Sequence, residues 1–190
     1  MNIYKVVIGI FALALVSFTV DAQIVKQYKG KYVTKKGWAK TFETARMELG
    51  DSPRQQGRYR IVLVREDWHA LSVEEKASTH RRINISGVIT GTVSLQTGKA
   101  SHVLVNKSRT GVIYSADDTL IPSAGDFFCS QGVPLTGVEE IKVTEGSGEF
   151  ANLTGGSIFV DGVVNMCVGD SDYRKNTFTV LPDVGYLEFN

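Results

Sequence analysis

"INISGVITGTVSL", residues Ile83 to Leu95, decides the fold. Ile85, Gly87, Ile89, Gly91, Val93 and Leu95 fall on one side of an extended chain. Ser86, Thr90, Thr92 and Ser94 fall on the other, with Val88 as the one interruption. A period of two is the mark of a half-buried antiparallel strand, because successive side chains leave a strand in opposite directions. The glycines on the apolar side point to a bend or a close neighbour, as a barrel wall requires.

The same alternation continues outward from this stretch. "SHVLVNK" and "TGVIYSA" follow it across short polar turns, and "SIFVDGVVNMCV" sets Ile158, Val160, Gly162, Val164, Met166 and Val168 on one face. "NTFTVLPDVGYLEFN" closes the chain with strand-like residues broken at Pro182. Upstream, Ile61 to Val64 reads as a buried strand, and Ser72 with Glu75 has capping-box spacing for a brief helix. Short strands at regular intervals imply a sandwich or a barrel, and a barrel removes exposed edges. The expected fold class is all-β, an antiparallel eight-stranded barrel over residues 58–190 with a short N-terminal helix.

That helix is read from Trp38, Phe42, Ala45 and Leu49, which recur at helical spacing before Gly50. It belongs to an N-terminal region, residues 23–57, whose first part, Gln23 to Lys40, carries Lys26, Lys29, Lys31, Lys35, Lys36 and Lys40 with no acid among them. Such an arm is either a solvated, frayed terminus or a contact for an anionic surface polymer. Residues 1–22 have the layout of a secretory leader: Lys5, an apolar run from Val6 to Val20, and small residues before a cut after Ala22. The run is ~15 residues, short of the ~20 that span a bilayer. The expected location is therefore secreted or periplasmic. The formal net charge is +1, which gives no global electrostatic argument for nucleic acid.

Cys129 and Cys167 are the two cysteines. An even count in an oxidising compartment favours a disulfide over two separate thiols. "EGSGEFANLTGGS", Glu145 to Ser157, lies between two strand-like runs. No lysine follows its last glycine as a phosphate loop requires, and no helix follows as a dinucleotide site requires. It reads as a hairpin with Phe150 turned inward as a plug.

Gly146, Ser147, Gly148, Glu149 and Phe150, then Gly155 and Gly156, resemble the G-[ST]-G-x-F-x-G-x-x-G signature of allene oxide cyclase-like and dirigent-like barrels. Asn152 stands where that pattern has a glycine. "SAGDFFCSQG", Ser123 to Gly132, resembles a segment upstream of the motif in small exported bacterial barrels. The resemblance spans Ile83 to Cys167. It implies an eight-stranded barrel whose interior holds a small apolar molecule, with acidic residues in the cavity and an isomerase- or cyclase-like activity where there is one. No catalytic residue transfers by position.

The residues themselves offer carboxylates for acid–base or calcium chemistry at Asp117, Asp118, Asp126, Glu139, Glu140 and Glu149, without calcium-loop spacing. His69, His80 and His102 lack metal-ligand spacing, so no metal and no cofactor is expected. Asn84, Asn106 and Asn152 begin N-x-[ST] triplets. Two functions stay open, a ligand-binding barrel and a solid barrel that works from its outer surface.

Overall fold

The computed structural model describes residues 27–46 and 49–190. The leader expected over residues 1–22, and Lys26, lie outside the described residues. Ten strands form one antiparallel sheet that closes on itself: β1 (Gly30–Glu43), β2 (Arg54–Arg65), β3 (Arg82–Val93), β4 (Ala100–Asn106), β5 (Gly111–Ser115), β6 (Thr119–Ala124), β7 (Leu135–Gly148), β8 (Leu153–Val164), β9 (Lys175–Val180) and β10 (Tyr186–Phe189).

The ten strands fill eight positions of a closed barrel. β5 and β6 pair with successive halves of β7, so they are one broken stave. β9 and β10 do the same between β8 and β1. Each position neighbours the next in sequence, and β1 then pairs with β9 and β10 to seal the wall. Outside the sheet, Ser72 and Glu75 form the capping box expected of them and start α1 (Val73–Ser78).

The alternation read in Ile83–Leu95 is the alternation of β3. Ile83, Ile85 and Ile89 are buried in the barrel interior, and Val88 and Thr90 are exposed. Leu95 leaves the pattern because the strand ends at Val93. At one end of the barrel the interior is filled by Tyr32, Leu63, Ile113, Phe150, Leu187 and Phe189. Phe150 lies in the β7–β8 turn, has 0% of its surface exposed, and stacks on Tyr28 at 5.8 Å between ring centres. The glycine-rich stretch is therefore a hairpin with a plug. A Cβ on Gly146 would meet the Phe150 carbonyl oxygen at 2.4 Å, and Gly148 has φ +62°, so neither accepts a side chain.

Two expectations for the N-terminal region are corrected. Trp38 to Glu43 is strand, so the helix expected from Trp38 to Leu49 does not form over that half, and residues 47–48 lie outside the described residues. A spacing of four belongs to the period of two as well as to the helical period. Trp38 and Phe42 share the outer face of β1, while Thr41 and Glu43 face in. Lys31 to Lys40 likewise belong to the first stave of the barrel, with no frayed arm in that stretch.

Cys129 and Cys167 form a disulfide with Cα atoms 5.1 Å apart, joining the β6–β7 and β8–β9 loops. Closing this loop adds about 4 kcal/mol in the chain-entropy account. Cys129→Ser should therefore lower the thermal midpoint under oxidising conditions and leave it unchanged relative to the reduced parent. Phe150→Ala should cost ~3–5 kcal/mol in denaturant unfolding, because no neighbour can refill the plug.

Candidate functional site

The end of the barrel away from Phe150 carries polar groups inside its wall. Thr41 on β1, Gln55 on β2, His102 on β4, Glu139 on β7 and Asn176 on β9 all point inward. Asp118 joins them from the break between β5 and β6. Gly91 lies across from both Gln55 and His102, and a Cβ there would sit 2.7 Å from the imidazole. The absent side chain on β3 makes room for the ring.

His102 Nδ1 lies 2.7 Å from Asp118 Oδ2. The same carboxylate accepts the Ser115 hydroxyl at 2.5 Å and the Lys142 backbone N–H at 2.6 Å. On the other side of the ring, Gln55 Nε2 is 3.2 Å and Glu139 Oε1 4.0 Å from His102 Nε2.

A chain of hydrogen bonds fixes the direction of every donor. The Asn165 backbone N–H donates to Asn176 Oδ1 at 3.2 Å. This turns Asn176 Nδ2 toward Gln55 Oε1, which also accepts the Thr41 hydroxyl. Gln55 Nε2 must then donate to His102 Nε2, which leaves the ring proton on Nδ1, facing Asp118. His102 is neutral in this arrangement, with its lone pair toward the cavity side. A metal ion on Nε2 would meet Glu139 and the NH2 group of Gln55, which is a donor and no ligand. The ligand atoms of His102, Asp118 and Glu139 lie within 4.8 Å, but the network suits a proton better than a cation.

Glu139 is 6% exposed and accepts no hydrogen bond among the described contacts. Burial raises its pKa; His102 pulls it back down and Asp118 pushes it up again. The His102 pKa is raised as well, because the bonded Asp118 and nearby Glu139 outweigh the burial that opposes the imidazolium. The two groups titrate as a coupled pair.

Glu139 lies at the base of a cavity of about 70 Å³. Val93, Ala100, Leu120, Phe127, Val164 and Phe178 give it apolar walls, and Gln55, Asn176 and Glu43 share the polar floor. Glu43 accepts the Ala45 and Arg54 backbone N–H groups at 2.8 Å each. Phe127 comes from the loop that the disulfide ties down, so a covalent bond holds one wall. The space admits a few atoms of a ligand, because one water takes ~10–15 Å³ on this measure.

Of the six carboxylates singled out in the sequence, the structure gathers Asp118 and Glu139. Glu140, next to Glu139, points outward because the strand alternates, and Asp117 is exposed in the turn between β5 and β6, where its φ is +56°. Asp126 caps its own loop through Phe128 N and Ser130 N, and Glu149 accepts Asn106 Nδ2 at 2.6 Å. His69 is exposed, and His80 packs against Tyr28 in the Phe150 half. Among the N-x-[ST] triplets, Asn106 is buried and Asn152 is bonded to the Tyr28 and Asn190 carbonyls, whereas Asn84 is exposed. Gln55, Thr41 and Asn176 were not singled out, and only Gly91 hinted at a bulky partner opposite.

No protein-family model, curated protein or solved structure matches the chain.

A carboxyl whose folded pKa is raised binds more protons in the native state, so stability falls as pH climbs from 4.5, the ordinary value, through the raised one. Glu139→Gln removes this loss. Urea unfolding across that range should show the variant gaining on the parent as pH rises; equal slopes would place the Glu139 carboxylate in water.

Proposed function

We propose that this is an exported barrel that binds a small, largely apolar molecule at its open end and exchanges a proton with it through Glu139. The observation that carries this is the Glu139 carboxyl itself: buried, without a hydrogen bond among the described residues, and lining a cavity of apolar side chains that Glu43, Arg54, Gln55 and Asn176 also border. A carboxyl held toward its neutral form in such a place is a general acid, and after giving up its proton a general base. His102 stands 4.0 Å behind with a lone pair on Nε2, and Asp118 holds the ring. These two are positioning residues. They tune the basicity of the Glu139 carboxylate without meeting the ligand.

A proton taken from one atom of the ligand and returned to another is an isomerisation. It needs no oxidant and no cofactor, and it fits the isomerase- or cyclase-like activity that the resemblance to allene oxide cyclase-like and dirigent-like barrels implies. The disulfide supports export, because such bonds persist in oxidising compartments. The leader read over residues 1–22 supports it from the sequence. The size of the cavity limits the bound part of the ligand to a compact end group.

The test is hydrogen–deuterium exchange at carbon. Small enolisable cyclic ketones in D2O, with and without the protein, would be followed by NMR. The parent should speed exchange for at least one of them, and Glu139→Gln should lower that rate by ~10²-fold or more. His102→Gln should shift the pH profile of the rate. Equal exchange with the parent and with Glu139→Gln, or no acceleration of any ketone, would overturn the reading.

A further inference from the structure

The outer wall of the barrel carries a charge arrangement that stability does not explain. On β1, Lys36, Trp38, Lys40 and Phe42 alternate cation and aromatic along the outward side. The register sets Arg60 beside Trp38, and Arg58 directly across from Lys40. Two like charges opposite one another on neighbouring strands destabilise a sheet. Both side chains are exposed, and neither has an ion pair among the described residues.

Other lysines of the same strand are compensated. Lys31 pairs with Glu66 at 3.2 Å, and Lys35 pairs with Asp183. Lys36, Lys40, Arg58, Arg60 and Arg82 have no acidic partner, and no acid faces outward from β9, β1, β2 or β3. Trp38 is 40% exposed and Phe42 48%, both within this field of positive charge. Around them the outward residues include the hydroxyls and amide of Thr177 and Thr179 on β9, Gln56 on β2, and Ser86 and Thr90 on β3, with Val88 exposed across from Arg58.

We propose that this four-strand face is a docking surface for an anionic polysaccharide, a chain of sugar rings that carry carboxylates or sulfates. Successive outward residues on a strand lie ~7 Å apart and strands ~4.8 Å apart, so cations and rings form a lattice finer than the length of a few sugars. The acids of the polymer meet Lys40, Arg58 and Arg60 in charge-assisted hydrogen bonds. Its apolar ring faces lie on Trp38, since the Arg174 guanidinium lies over Phe42 at 5.9 Å from the ring centre, and its hydroxyls find the threonines and Gln56. Lysine and arginine side chains reach farther from the sheet than the aromatic rings do. A flat lipid surface would rest on the cations and leave the rings untouched, whereas a slender chain lies between them. The disulfide is of the kind that persists in oxidising compartments outside the cytosol. This surface and the cavity lie on different sides of the barrel wall, so either reading stands without the other.

The experiment titrates the full chain with oligogalacturonate, and in parallel with a neutral maltooligosaccharide, oligodeoxythymidylate and phosphatidylglycerol vesicles. Expected are binding of the uronate that weakens with salt, and none of the neutral sugar. The Lys40→Gln, Arg58→Gln double variant should lose about tenfold in affinity, and Trp38→Ala a similar factor. The double variant should melt no lower than the parent, because it removes a repulsion. Unchanged affinity in the double variant, no uronate binding, or tighter binding to the oligonucleotide or the vesicles would overturn the proposal.

Discussion

Closure of the wall rests on β1, the strand that pairs with β2 on one side and with both β9 and β10 on the other. The exchange from β10 to β9 happens at Thr34, which is 0% exposed. Its backbone N–H donates to the Gly185 carbonyl and its own carbonyl accepts Asp183 N–H. Its hydroxyl accepts Gly185 N–H and lies 3.2 Å from the Leu181 carbonyl oxygen. A bulge between Thr34 and Lys36 lets the strand change partners there. Without this stitch, β1 and the stave formed by β9 and β10 would be open edges, and an open edge is a template for aggregation.

The closed wall then divides its interior between two tasks. The half around Phe150 is packed with rings and aliphatic chains, and it supplies the burial that stabilises the fold. The other half spends some of that stability on a polar layer, in which nearly every group has a partner and Glu139 does not. A buried network is tolerated when its members satisfy one another, and the exception is where chemistry is expected. The broken staves serve the same division. The break between β5 and β6 turns Asp118 into the interior, where an unbroken strand would have continued its alternation past the site.

Much of the fold was legible because alternation reports it directly. Ile83, Ile85 and Ile89, or Ile158 and Val160, allow no other parity. β1 was not legible, since Trp38 and Phe42 satisfy two periods at once and its inward face is polar: Thr34, Thr41 and Glu43. The site was half legible. Glu139 was one of six candidate carboxylates, and it shares its parity with the buried Ile141 and Val143 in "GVEEIKV". His102 sits in "SHVLVN", where both faces are apolar and parity decides nothing. Its partners come from five other parts of the chain, and no local spacing can announce a meeting that closure alone brings about.

The chain of amides from Asn165 to His102 has a consequence for how such a site is retuned. A backbone N–H can only donate, so it sets the sense of Asn176, then Gln55, then the imidazole. Placing a second proton on His102 requires both amides to turn over, and that strands the Asn165 N–H, at a cost of ~1–3 kcal/mol for a buried donor. The charge on a ring deep in the barrel is thus written at its rim, in a loop that also holds Cys167. Drift in that loop's sequence can reset the basicity of the site while every residue that lines the cavity stays the same.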